Sequence, residues 1–68
     1  MFDEGDNIVY TGTREHLEVG LPEETYYAML DPDIPKTIWD IDYYEIDCMV
    51  ELPNGDRIFC QLDFVEEA

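Results

Sequence analysis

Serine does not occur in this chain, lysine and histidine occur once each, and arginine occurs twice. Without serine there is no serine nucleophile of the hydrolase type, and no glycine-rich stretch has the pattern of a P-loop or dinucleotide loop. With three cations in 68 residues, a face that neutralises a run of phosphates is excluded, and so is direct binding of nucleic acid. Long apolar runs are also missing. None approaches the ~20 residues that cross a bilayer, and Met1-Phe2-Asp3-Glu4 has neither the basic flank nor the apolar stretch of a secretory leader. The expectation is a soluble, cytoplasmic protein with no membrane partner. Two cysteines are too few for a disulfide framework or a zinc site, and the one histidine, His16, lies in another segment and reads as an exposed loop residue. No metal and no cofactor is expected.

Eighteen acidic residues set against the three basic ones give a formal charge of −15. They are spread from Asp3 to Glu67 and accompany the apolar positions through every segment, so the negative field belongs to a folded body and not to a tail. Composition supports folding, because 46% of the residues are hydrophobic and 13% aromatic. The length allows a single small domain over residues 1–68, with a modest core. Salt adaptation accounts poorly for the charge, since six isoleucines and nine aromatics stand beside only two alanines.

Strand signals dominate. Asn7–Thr11 and Thr25–Leu30 are β-branched or aromatic runs, closed by Gly12 and by Asp31-Pro32, and both are read as strands. Ile46, Cys48, Val50 and Leu52 alternate, as do Ile58, Cys60, Leu62 and Phe64. Between them, Pro53-Asn54-Gly55 suits a three-residue hairpin loop with Gly55 in the left-handed position. Counting outward from that loop places Val50 opposite Ile58 and Cys48 opposite Cys60, so the apolar faces coincide. The cysteines would be a hydrogen-bonded pair with Cα atoms ~5.5 Å apart, read as buried, reduced thiols acting as small core hydrophobes. The opposite face carries Glu51 beside Arg57, Met49 beside Phe59 and Asp47 beside Gln61. Thr13–Glu24 and Asp31–Trp39, which hold Gly20, Pro22, Pro32 and Pro35, read as long loops, the second with room for a short helical turn. The fold class expected is mainly β: a small, strongly curved antiparallel sheet or barrel of four to five strands.

Gly5-Asp6-Asn7-Ile8-Val9-Tyr10-Thr11-Gly12, Gly20-Leu21-Pro22-Glu23-Glu24-Thr25-Tyr26-Tyr27, the Pro53-Asn54-Gly55 loop and the terminal Leu62-Asp63-Phe64-Val65 together resemble the layout of SH3-like small barrels found in short phage and mobile-element proteins. The resemblance covers most of the chain outside residues 31–42. It implies a long first loop and a short 3₁₀ turn over Leu62 to Val65 before a final strand.

Catalysis has little support. Asp31/Asp33, Asp40/Asp42 and Glu45/Asp47 are spaced carboxylate pairs, but with eighteen acids such pairs arise by chance, and the chain is read as a non-enzyme. A calcium loop beginning at Asp31 fails because Pro35 occupies a ligand position, Lys36 stands where the turn needs glycine, and Asp42 replaces the bidentate glutamate. Acids on one strand face recur every ~6.7 Å, a spacing that lets a rigid body imitate a phosphate backbone. Such a decoy would occupy the basic DNA- or RNA-binding surface of a host protein, as an anti-restriction or other anti-defence inhibitor would. Candidate contact residues are Trp39, Asp40, Asp42, Tyr43, Glu45, Asp47, Met49, Glu51 and Phe59, with the apolar groups anchoring what charge only steers. Trp39 and one of Tyr43 and Tyr44 would equally suit a core. The alternative from another class is an SH3-like adaptor or assembly subunit that grips a basic or proline-rich peptide with the Thr13–Glu24 loop and an aromatic groove.

Overall fold

The computed structural model describes residues 1–68. Five antiparallel strands make one sheet: β1 (Asn7–Tyr10), β2 (Lys36–Asp42), β3 (Asp47–Glu51), β4 (Arg57–Gln61) and β5 (Val65–Glu67), in the order β4-β3-β2-β1-β5. One helix, α1 (Glu23–Leu30), and two 3₁₀ turns, Arg14–His16 and Leu62–Phe64, complete the chain. The protein is thus mainly β. The sheet is open, with β4 and β5 as its two edges, and does not close into the barrel expected for a chain of this size.

Two segments differ from the sequence expectation. Thr25–Leu30 is helical, not a strand. Its Thr-Tyr-Tyr run has strand propensity, but Thr25, Tyr26 and Met29 share the buried side of a helix whose first turn carries Glu23 and Glu24. Acids there complement the positive end of the helix, and tertiary burial outweighs local preference. The stretch from Asp31 to Trp39 is not a loop throughout, because β2 starts at Lys36 and pairs with both β1 and β3. The 3₁₀ turn at Leu62–Phe64 also ends β4 at Gln61, earlier than the alternation extends.

β3 and β4 pair as Asp47 with Gln61, Cys48 with Cys60, Met49 with Phe59, Val50 with Ile58 and Glu51 with Arg57. The Leu52 N–H donates to the Asp56 carbonyl at 2.8 Å, the Gly55 N–H donates to the Leu52 carbonyl at 2.9 Å, and Gly55 has φ +91°. That conformation suits glycine, which has no Cβ to collide with the backbone. The inward residues meet in one core: Ile8 and Tyr10 of β1, Tyr26 and Met29 of α1, Ile38, Val50, Ile58, Val65, and the unbonded Cys48 and Cys60. The neighbouring Cys48 thiol and burial push the Cys60 thiol up from its ordinary value, which keeps it protonated. Gly12 closes the far end of β1 by close approach, since a Cβ there would strike the Tyr10 hydroxyl oxygen and lie 2.9 Å from Phe64 Cγ.

Tyr10 is 7% exposed and donates its hydroxyl to the Thr13 carbonyl at 2.9 Å. Burial, the main cause, pushes its pKa up to about 12. The folded state therefore holds this proton more tightly than the unfolded state does. The associated stability is complete below the unfolded value of 10 and is lost as pH rises from 10 to about 12. Urea midpoints should show a loss of roughly 2–3 kcal/mol over that interval that is missing in Tyr10→Phe. An equal alkaline loss in both proteins would remove Tyr10 as its source. Lys36 acts in the opposite sense, because burial lowers its pKa below 10.5 and its desolvation cost is relieved as pH rises to that value. The comparison with Tyr10→Phe cancels that contribution.

Candidate protein-binding surface

An extra residue in β2 decides which side of the molecule Asp40 occupies. Ile38 pairs with Val50 and Asp40 with Met49, so Trp39 is inserted between two consecutive β3 positions as a β-bulge. Strict alternation would carry Asp40 to the inner face with Ile38. The bulge shifts the phase by one residue, keeping Ile38 buried and leaving Trp39 and Asp40 exposed on the side opposite the core. The Gly5 N–H donates to the Ile38 carbonyl at 2.7 Å, and the Ile38 N–H donates to the Asp6 carbonyl at 3.0 Å, which ties down the irregular backbone.

The outer face of β2, β3 and β4 then reads in three rows. Thr37, Glu51 and Arg57 form the first, Asp40, Met49 and Phe59 the second, and Asp42, Asp47 and Gln61 the third. Trp39 is 46% and Phe59 39% exposed, and Met49 is half-buried between its neighbours. The Arg57 guanidinium lies 4.1 Å from the Trp39 ring centroid and its Nε donates to Glu51 at 3.2 Å, so the cation is held between a ring and a carboxylate. Seven of the nine candidate residues, Trp39, Asp40, Asp42, Asp47, Met49, Glu51 and Phe59, therefore share one face.

Tyr43 and Glu45 sit beyond its end, in the turn from β2 to β3. Tyr43 is half exposed, and its hydroxyl donates to the Phe2 carbonyl. Asp42 Oδ1 accepts the N–H groups of Tyr44 at 3.0 Å and Glu45 at 3.1 Å, which folds the turn over its own carboxylate. The turn exposes two residues that the sequence places otherwise: Ile46, expected as the first inward residue of the third strand but lying ahead of β3, and Tyr44, which suited either a core or a contact. Tyr44 is 91% exposed, and Ile46, also exposed, holds φ +59°, a conformation that a β-branched residue rarely adopts. Neither property has a local sequence signal.

All three cationic side chains are engaged within the protein. Lys36 is 1% exposed and donates from Nζ to the carbonyls of Asp31 at 2.6 Å, Ile34 at 2.8 Å and Ala28 at 3.0 Å. Arg14 forms a bidentate pair with Glu23 at 2.7 and 2.6 Å and lies 4.0 Å from the Tyr26 ring centroid. This hydrogen-bonded partner holds the Glu23 carboxyl below the usual carboxylate range. Arg57 is paired with Glu51 as described. None of the eighteen carboxylates is buried.

The residues invoked for a peptide groove are divided. Tyr26 is a core residue whose hydroxyl donates to the Glu18 carbonyl, whereas Tyr27 and Leu30 are exposed on α1, away from the buried side formed by Tyr26 and Met29. His16 is exposed and stacks on Phe64 with ring centroids 4.1 Å apart. No helix is long and apolar enough to cross a membrane. Comparison with protein-family models, with curated proteins and with solved structures gives no match in any of the three.

Proposed function

We propose that this chain is an acidic inhibitor of the kind that phages and mobile elements encode, acting in the host cytoplasm as a nucleic-acid mimic that covers the basic DNA- or RNA-binding surface of a host protein. The observation that carries this reading is the outer face of β2–β4, where Trp39, Met49 and Phe59 are interleaved with Asp40, Asp42, Asp47 and Glu51 on a body whose lysine and arginines are all engaged internally. Carboxylates fixed on a sheet supply the anionic repeat that phosphate-reading Lys and Arg side chains accept. The apolar row supplies the desolvated contacts that make such an encounter specific.

The fold belongs to the same proposal. The strand order β4-β3-β2-β1-β5, with a 3₁₀ turn leading into the last strand, supports an SH3-like arrangement. In that arrangement the acidic face replaces the basic one of nucleic-acid-binding relatives of the fold.

Competition tests the mimicry. A host protein recovered by affinity capture should bind nucleic acid, and added DNA or RNA should displace this chain from it. Simultaneous binding of both would falsify direct mimicry. Capture by a short basic or proline-rich peptide alone would instead favour the adaptor reading, for which Tyr27 remains exposed and Tyr26 does not.

A further inference from the structure

The two edges of the sheet differ in charge. β5 ends in Glu66-Glu67, and the acids on this short edge oppose the approach of another strand. β4, Arg57-Ile58-Phe59-Cys60-Gln61, carries no acid, although the chain as a whole bears −15. It has no proline, no bulge and no strand on its outer side.

The phase of its backbone follows from two hydrogen bonds at its ends, Leu52 N–H to the Asp56 carbonyl at 2.8 Å and Leu62 N–H to the Ile46 carbonyl at 3.1 Å. Residues 56, 58, 60 and 62 therefore direct their backbone groups at β3. Those of Arg57, Phe59 and Gln61 point away from it.

We propose that the β4 edge is a self-association site, on which a second copy of this chain adds its own β4 antiparallel about a two-fold axis through Phe59. In that register Phe59 faces Phe59 of the second copy, and Arg57 faces Gln61 in both directions. All three are hydrogen-bonded pairs built from the outward groups. No acid faces another acid across the axis. The two Phe59 rings meet on the outer face and extend the apolar pair of Met49 and Phe59 into a second molecule. The β5 edge offers no equivalent, because pairing it with itself brings glutamates together.

Long-range repulsion between two bodies of −15 opposes this contact, and salt screens it, with a Debye length of about 10 Å at 0.1 M and about 3 Å at 1 M. Association should therefore strengthen as salt rises, the reverse of what is expected for capture of a basic partner. Sedimentation equilibrium from micromolar to millimolar chain should show growth of a species of twice 8.0 kDa, with an apparent Kd falling about tenfold or more between low and high salt. The amides of Arg57, Phe59 and Gln61 should gain protection from hydrogen exchange together with it.

Phe59→Glu sets two carboxylates face to face on the axis. It should remain monomeric at every salt concentration while keeping the circular dichroism of the parent. A chain that stays monomeric at millimolar concentration in high salt overturns the proposal. So does a dimer in which those three amides exchange freely, which would place the contact elsewhere, for example on Tyr27 and Leu30. The outcome is independent of the competition experiment, so either reading can fail alone.

Discussion

Lys36→Met should lower the stability of the fold by about 3–5 kcal/mol. Methionine keeps an apolar stem of similar reach but donates nothing, and the carbonyls of Ala28, Asp31 and Ile34 lose the ammonium that joins them. Two of these lie at the C-terminal end of α1 and the third in the connection to β2, so one side chain caps the helix, satisfies its negative end and ties it to the sheet. Hydrogen bonds from a charged donor contribute about 1.5–3 kcal/mol each, and their losses do not simply add. A total of about 3–5 kcal/mol is expected, against a stability of roughly 3–10 kcal/mol for a domain of this length. Urea titration followed by far-UV circular dichroism measures the loss. A midpoint equivalent to less than about 1 kcal/mol of change would show that water replaces the ammonium at little cost.

The second large effect concerns binding. Asp40→Asn combined with Asp42→Asn and Asp47→Asn removes three charges from the outer face while keeping the side-chain shapes. The amide introduced at position 42 still presents an oxygen to the N–H groups of Tyr44 and Glu45, and the like-charged pair of Asp42 with Asp47 is relieved, so the fold should be retained or slightly stabilised. Each charge contact at about 4 Å is worth about 1 kcal/mol in water, so capture of a basic partner should weaken about a hundredfold at low salt. The difference should shrink toward zero near 1 M salt, where screening acts over about 3 Å. Unchanged affinity at low salt would move the contact away from β2–β4.

The pairing of β3 with β4 was legible because two independent signals agree. The alternation of Ile46–Leu52 and Ile58–Phe64 and the phase set by Pro53-Asn54-Gly55 lead to one register, in which Cys48 faces Cys60. The acidic and aromatic residues of the outer face follow from it. α1 is hidden in the sequence because Thr25-Tyr26-Tyr27 favours a strand locally, while the helix depends on burial of Tyr26 and Met29 against distant residues. Pro22 before Glu23-Glu24 was the available signal, as it suits the start of a helix. β2 was obscured by Pro32 and Pro35 on one side and by the bulge at Trp39 on the other, which breaks the alternation that identifies a strand. The burial of Lys36 had no local signature, since a lone lysine is ordinarily exposed and its three partners come from the other side of the Asp31–Pro35 connection or from within it.

The internal engagement of Lys36, Arg14 and Arg57 also bears on the kinetics of encounter. A protein with patches of both signs is turned by its dipole, and some approaches are repelled. Here no face offers a free lysine or arginine, so a positively charged surface is attracted from every direction and long-range rotation is weakly selected. Attraction would thus raise the frequency of contact without choosing its orientation. The search for orientation would then occur at short range, during the lifetime of a loosely held pair, as the partner moves across the surface until it meets Trp39 and Phe59.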